Sequence, residues 1–182
     1  MKICIYGAAR DEIPAVYLQG AEEFGRLLAQ RGHSLIFGGG ARGCMGAVAR
    51  GVASAAGEVT AVTPEFLNQG EDLFSPCTRV IRTGDLAERK RIFSVLADAF
   101  VVLPGGIGTM DEYYEMYELA SFGRLNKPLI LFNLEHYYDL IEQMNQRFVE
   151  EGFLEPERAA VSQTCDTATE VLNALEARWQ QG

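Results

Sequence analysis

The chain has 182 residues and a formal net charge of -9, from 16 Lys+Arg against 25 Asp+Glu. At this length, with 48% hydrophobic and 23% charged residues, it suits one domain that buries roughly 70% of its unfolded surface. That excludes collagen-like, disordered and disulfide-scaffold classes. The acidic balance argues against a nucleic acid polymer as partner, while leaving room for a local basic cleft.

The chain opens Met1-Lys2-Ile3-Cys4-Ile5-Tyr6-Gly7, which turns too soon for a signal peptide. No stretch approaches the roughly 20 apolar residues of a membrane span. A cytoplasmic protein with no membrane partner is expected. Cys4, Cys44, Cys77 and Cys165 are scattered, without a C-x-x-C pair, and read as reduced, buried thiols. His33 and His136 lie in separate segments, so no metal site is expected.

Short apolar runs alternate with helical patterns along the whole chain. Strands are predicted at Lys2–Tyr6, Ser34–Phe37, Glu58–Val62, Thr78–Ile81, Ala99–Leu103 and Pro128–Phe132. Helices are predicted at Tyr17–Arg31, Ala47–Ala56, Asp85–Ala97, Thr109–Phe122, Tyr137–Glu151 and Thr167–Gln180. Continuously apolar strands joined by helices indicate a parallel sheet covered on both faces. The expected fold is α/β, a single doubly wound, Rossmann-like domain over residues 1–182, with a mainly parallel sheet flanked by helices.

Ligands of such sheets bind beyond the carboxyl ends of the strands. Three glycine-bearing loops follow predicted strands: Gly7-Ala8-Ala9-Arg10, Gly38-Gly39-Gly40-Ala41-Arg42-Gly43 and Pro104-Gly105-Gly106-Ile107-Gly108-Thr109. In the third, glycines admit close backbone approach, and the following helix offers free N–H groups and a positive dipole end. That is a phosphate site in which Thr109 adds a hydroxyl, or else a tight turn with Thr109-x-x-Glu112 as a capping box. The triple-glycine loop has the spacing Gly38-x-Gly40-x-x-Gly43 of a dinucleotide fingerprint, but it follows the second strand rather than the first. Tight packing there, or contact of Gly39 and Gly40 with a smaller ligand, fits that placement better.

The helix at Asp85 opens with Asp85-x-x-Glu88, an acidic capping pattern. At about 100° per residue, Leu86, Ile92, Phe93, Leu96 and Ala97 form one apolar stripe. Arg89 falls near its middle, Lys90 at its edge, and Arg91 points away. A charge on an apolar face is costly unless paired, so Arg89 should reach a carboxylate, a phosphate or a cleft. Glu112, about one turn inside the helix that leaves the third loop, is placed to act on a substrate beside a bound phosphate. Tyr113, Met116, Tyr117, Ala120 and Phe122 read as core or subunit interface.

Together these motifs resemble the Lonely Guy (LOG) family, also labelled lysine decarboxylase-like. Its signature is an Arg-Lys pair followed by P-G-G-x-G-T-x-x-E. This chain has Arg89-Lys90 and then Pro104-Gly105-Gly106-Ile107-Gly108-Thr109-Met110-Asp111-Glu112. Gly38 to Gly46 resembles the family's G-G-G-x-x-G-x-M-G, and Gly152-Phe153-Leu154 its tail. Where many members carry T-W-x-Q-L-G, this chain has Glu118 to Gly123, a segment expected to border the base pocket and the subunit contact.

The resemblance implies an N-glycosidase, a phosphoribohydrolase acting on a small-molecule nucleotide such as AMP or a cytokinin ribotide. The products are free base and ribose 5-phosphate. Arg89 and Glu112 are then the catalytic pair. Lys90 and the loop residues Gly105, Gly106, Ile107, Gly108 and Thr109 hold the nucleotide, with Gly39 and Gly40 as further contacts. A homodimer is implied, and no metal or organic cofactor. A pyridoxal-dependent decarboxylase needs a lysine Schiff base, and none of Lys2, Lys90 and Lys127 lies in a context suited to one. The competing expectation is a non-catalytic carrier or sensor of a phosphorylated ligand, like the molybdenum-cofactor carriers.

Overall fold

The computed structural model describes residues 1–67 and 72–179. Its strands are β1 (Lys2–Tyr6), β2 (Ser34–Phe37), β3 (Val59–Pro64), β4 (Arg79–Thr83), β5 (Ala99–Val102), β6 (Leu129–Phe132) and β7 (Ser162–Cys165). They form one seven-stranded sheet in the order β4-β3-β2-β1-β5-β6-β7. Every ladder in it is parallel.

The helices are α1 (Ala15–Gln30), α2 (Gly43–Ser54), α3 (Leu86–Leu96), α4 (Ile107–Ser121), α5 (Asp139–Glu150), α6 (Pro156–Ala159) and α7 (Ala168–Trp179). Strand alternation divides them between two cores. Ile3, Ile5, Leu35, Phe37, Val101 and Phe132 face the layer of α1, α2 and α7. Cys4, Tyr6, Ile36, Phe100, Val102 and Leu131 face the layer of α3 and α4. Both faces of the inner strands are therefore dry, which explains their uninterrupted apolar runs.

The predicted strands and long helices are all present: Lys2–Tyr6 and Ser34–Phe37 match at both ends, and no other described boundary moves by more than four residues. The sequence reading omitted β7, the short α6 and a 3-10 turn at Leu134–His136. Among the described residues β7 is an edge strand that pairs only with β6, and its sequence Ser-Gln-Thr-Cys is half exposed. A strand with one neighbour does not need the apolar run that marks a central one. The C-terminal end of the last predicted helix, Gln180, lies outside the described residues. Among the described residues, no helix is long and apolar enough to cross a membrane.

The order places β1 between β2 and β5. The chain leaves β1 and β5 on opposite sides of that line, opening a crevice at the carboxyl ends of the two strands. This is the switch point at which open α/β sheets take ligands.

Candidate active site

A cavity of about 570 Å³ occupies this crevice, within the usual range for a small-molecule site. Its floor and one wall are the loop after β1, from Gly7 to Pro14. The other wall is the loop after β5 and the first turns of α4, with the start of α3 closing one side. Of the expected site residues it brings together Arg89, Lys90, Gly105, Gly106, Gly108, Thr109 and Glu112.

The α4 end of the cavity has the elements of an anion site. The helix is capped by the Gly106 backbone with no side-chain cap, and its first internal bond runs from Met110 N to Gly106 O. The N–H groups ahead of that bond lie at the positive end of the helix dipole. The capping box, the other reading of Thr109 and Glu112, does not form, because the helix begins at Ile107, two residues before Thr109. Thr109 is instead buried within the first turn. A β-carbon on Gly105 would overlap its hydroxyl, so the glycine is required by close approach.

Arg89 and Glu112 meet across the cavity. Arg89 donates through Nη2 to Glu112 Oε1 at 3.0 Å, with side chains 16% and 15% exposed. The guanidinium also lies over the Phe93 ring, 5.2 Å from its centroid. Among the described residues, Arg89 Nε is buried without a hydrogen-bond partner. The apolar stripe of α3 thus carries its arginine inward, as the pattern predicted, to a carboxylate. Burial pushes the Glu112 carboxyl up to about 7, opposed by the neighbouring Arg89 and helped by Asp111. A carboxylic group titrating near neutrality in a cavity suits proton transfer.

Lys90 lines the cavity, but its ammonium pairs with Asp111 at 3.1 Å and with Glu115. These partners raise its pKa. Its charge is therefore shared with the α4 surface, which fixes α3 against α4.

Three expected contacts lie elsewhere. Ile107 is 91% exposed and turned away from the cavity. Gly39 and Gly40 belong to a separate packing site: Gly39 O accepts from Phe74 N at 2.9 Å, and Gly40 bridges to Leu73. The N-terminus of α2 that a dinucleotide phosphate would use is already filled, since Gly43 N donates to Asp11 Oδ1 at 2.8 Å. The triple-glycine loop serves the site through Gly38, whose missing side chain leaves room for the Arg89 guanidinium. The segment 118–122, at the far end of α4, does not line the cavity; the expectation that it borders a base pocket is not met within one chain.

The sequence reading missed the apolar side of the cavity, formed by Ile13, Pro14, Tyr17, Leu86 and Tyr137. The tyrosine rings meet edge to face at 5.5 Å. One signal was present: the connection from β1 to α1 is longer than the two to six residues usual for such loops.

Fold and site define a doubly wound α/β protein whose crevice pairs a helix N-terminus with a buried arginine and carboxylate. The chain belongs to the Lonely Guy family: a family model described as "Possible lysine decarboxylase" matches residues 45–175, and curated members align along nearly its whole length. It is 34% identical to the cytokinin riboside 5'-monophosphate phosphoribohydrolase LOG of Oryza sativa subsp. japonica, over 96% of this chain and 72% of that protein. It is 30% identical to a cytokinin riboside 5'-monophosphate phosphoribohydrolase of Arabidopsis thaliana, over 97% of this chain and 77% of that protein.

Solved structures share the fold. The Moco carrier protein of Chlamydomonas reinhardtii superposes with a TM-score of 0.75 at 19% identity, over 100% of this chain and 98% of that one. The molybdenum cofactor binding protein of Rippkaea orientalis gives 0.74 at 21% identity, over 97% and 95%.

The decarboxylase description implies pyridoxal phosphate, and the residues here do not fit it. A Schiff base needs a neutral lysine amine. Lys90, the lysine at the cavity, is held charged by two carboxylates. Lys127 is tied to Ser94 O at 2.7 Å, and Lys2 sits on β1 at the end away from the crevice.

Proposed function

We propose that the chain is a phosphoribohydrolase that cleaves the N-glycosidic bond of a nucleoside 5'-monophosphate such as AMP or a cytokinin ribotide. The observation that carries this reading is the Arg89–Glu112 pair, buried at 3.0 Å in a cavity bordered by the N-terminus of α4. A carrier needs a phosphate site and a shaped wall, but no carboxyl group held at about 7.

The 5'-phosphate lies on the α4 N-terminus, where free N–H groups and the dipole attract it. The base rests on the apolar side of the cavity. C1' of the ribose then lies near Glu112. The bond from C1' to the base nitrogen breaks heterolytically, its electron pair leaving with the base. An oxocarbenium-like centre remains, which the ionised Glu112 stabilises. Water adds to C1' and gives a proton to Glu112, which passes it on to the departing base. The products are free base and ribose 5-phosphate. Arg89 orients the phosphoribosyl group and keeps part of the Glu112 population ionised.

The test is incubation with AMP, other nucleoside monophosphates and a cytokinin ribotide, assaying free base and ribose 5-phosphate. Release of both in equal amounts from at least one nucleotide is expected. Tight binding across the panel with no release would overturn the enzyme in favour of a carrier, as named for the Chlamydomonas reinhardtii structure.

A further inference from the structure

The loop after β5 is held from behind by consecutive tyrosines. Tyr137 OH donates to Gly105 O at 2.8 Å, and Tyr138 OH donates to Leu103 O at 2.6 Å. Between them, Pro104 O accepts from Ala8 N at 3.0 Å. The carbonyls of residues 103, 104 and 105 are thus all pinned. A trans peptide unit is planar, with its C=O and N–H pointing opposite ways. Fixing the Gly105 carbonyl therefore fixes the direction of the Gly106 N–H, the first donor of the α4 anion site. Gly105 and Gly106 have no side chains of their own to set that direction.

The two tyrosines differ in setting. Tyr138 is 1% exposed and belongs to the core, whereas Tyr137 is 41% exposed and lines the cavity. Tyr137 is delivered there by an unusual turn. Glu135 and His136, just before it, both have positive φ, at 54° and 57°. Two successive non-glycine residues in the left-handed region are uncommon and persist only where surrounding contacts enforce them. Here Asn133 enforces the turn: its Oδ1 accepts from Tyr138 N at 2.7 Å, and its Nδ2 donates to Asp139 and Asp166 at 2.8 and 2.9 Å. The Tyr17 ring then steadies Tyr137 from the α1 side.

We infer that Tyr137 is a positioning residue for phosphate binding: through the Gly105 carbonyl it aims the amides at the start of α4, and so sets affinity for the phosphoryl end of the ligand. The inference rests on the phosphate lying at the α4 N-terminus, as proposed above. Its action is on binding that is equal in the ground and transition states, so it appears in KM rather than kcat.

Tyr137→Phe removes the hydroxyl and keeps the ring. The variant is compared with wild type for affinity toward ribose 5-phosphate and inorganic phosphate by calorimetry, and for KM and kcat with AMP. The thermal midpoint is recorded for each protein. The expected result is affinity for both phosphate probes, and 1/KM, falling about fivefold to tenfold, with kcat within about twofold and the midpoint nearly unmoved. Tyr138→Phe, in the core, should instead lower the midpoint. Unchanged phosphate affinity in a folded Tyr137→Phe, or a loss confined to kcat, would overturn the inference. If wild type releases no base from any nucleotide but binds ribose 5-phosphate, the hydrolase reading fails alone, and the affinity comparison still decides the role of Tyr137.

Discussion

Gly38 faces the Arg89 guanidinium so closely that a β-carbon on it would stand 2.6 Å from Arg89 Nη2. The same Nη2 donates to Glu112, so a glycine on the loop after β2 controls the geometry of a pair drawn from α3 and α4. Gly38→Ala should leave the fold intact, because the displaced atoms end a flexible side chain, while breaking the pair. Turnover should fall about 10- to 100-fold, the usual effect of misplacing a catalytic group by about 1 Å. Circular dichroism and initial rates with AMP measure the two halves of this expectation, and full activity in the variant would contradict it.

Glu112→Gln keeps the size and one hydrogen-bond acceptor, and loses the charge and the proton acceptor. In the proposed reaction, turnover should drop by at least about 100-fold, with nucleotide affinity changed far less, since the proposed phosphate site is on the α4 amides. Single-turnover rates and equilibrium binding separate the two. Intact turnover would remove Glu112 from the mechanism.

The pH dependence follows from the same residue. The Glu112 carboxyl is raised from 4.5 to about 7 by burial. A group whose folded pKa is raised lends its stability below the unfolded pKa and loses it as pH rises through the folded one. Through this residue, fold stability should decline between about pH 4.5 and pH 7, by at most about 3 kcal/mol, and stay level above. Glu112→Gln should abolish that slope, which denaturant unfolding at several pH values measures. Activity should run the other way: in the proposed reaction the ionised form of Glu112 is the working one, so kcat/KM should climb through about pH 7.

Arg89 opposes the burial effect on Glu112. Arg89→Met should therefore move the Glu112 titration further alkaline, readable by carbon-13 NMR of the carboxyl. A titration that stays in place would show that the pair has little electrostatic coupling.

Asp11 holds the loop after β1 on the N-terminus of α2, through Gly43 N at 2.8 Å. That loop supplies Ala8, Ala9, Arg10, Ile13 and Pro14 to the cavity. Asp11→Ala should cost about 1 kcal/mol, as for loss of a capping carboxylate, and raise KM by loosening the wall. Melting curves and steady-state kinetics together test this; an unchanged KM would mean that the wall is held by other contacts.

By itself the sequence determined the fold class, the order along the chain of every strand but the edge strand β7 and of the long helices, and that Arg89 turns inward toward a partner. The physical reason is that buried parallel strands need unbroken apolar runs, amphipathic helices need a 3.6-residue period, and an arginine such as Arg89 within an apolar stripe needs a partner. Those demands are local and leave local marks. Tertiary structure decided which helix terminus opens on the cavity. The loops after β2 and β5 look alike as sequence, yet Asp11 fills the first helix terminus while the second opens on the cavity. It also decided that Gly38, rather than Gly39 or Gly40, serves the site, and that Tyr17 and Tyr137 meet across it. These are contacts between residues far apart in the chain, and no periodicity within a segment records what that segment will face after folding.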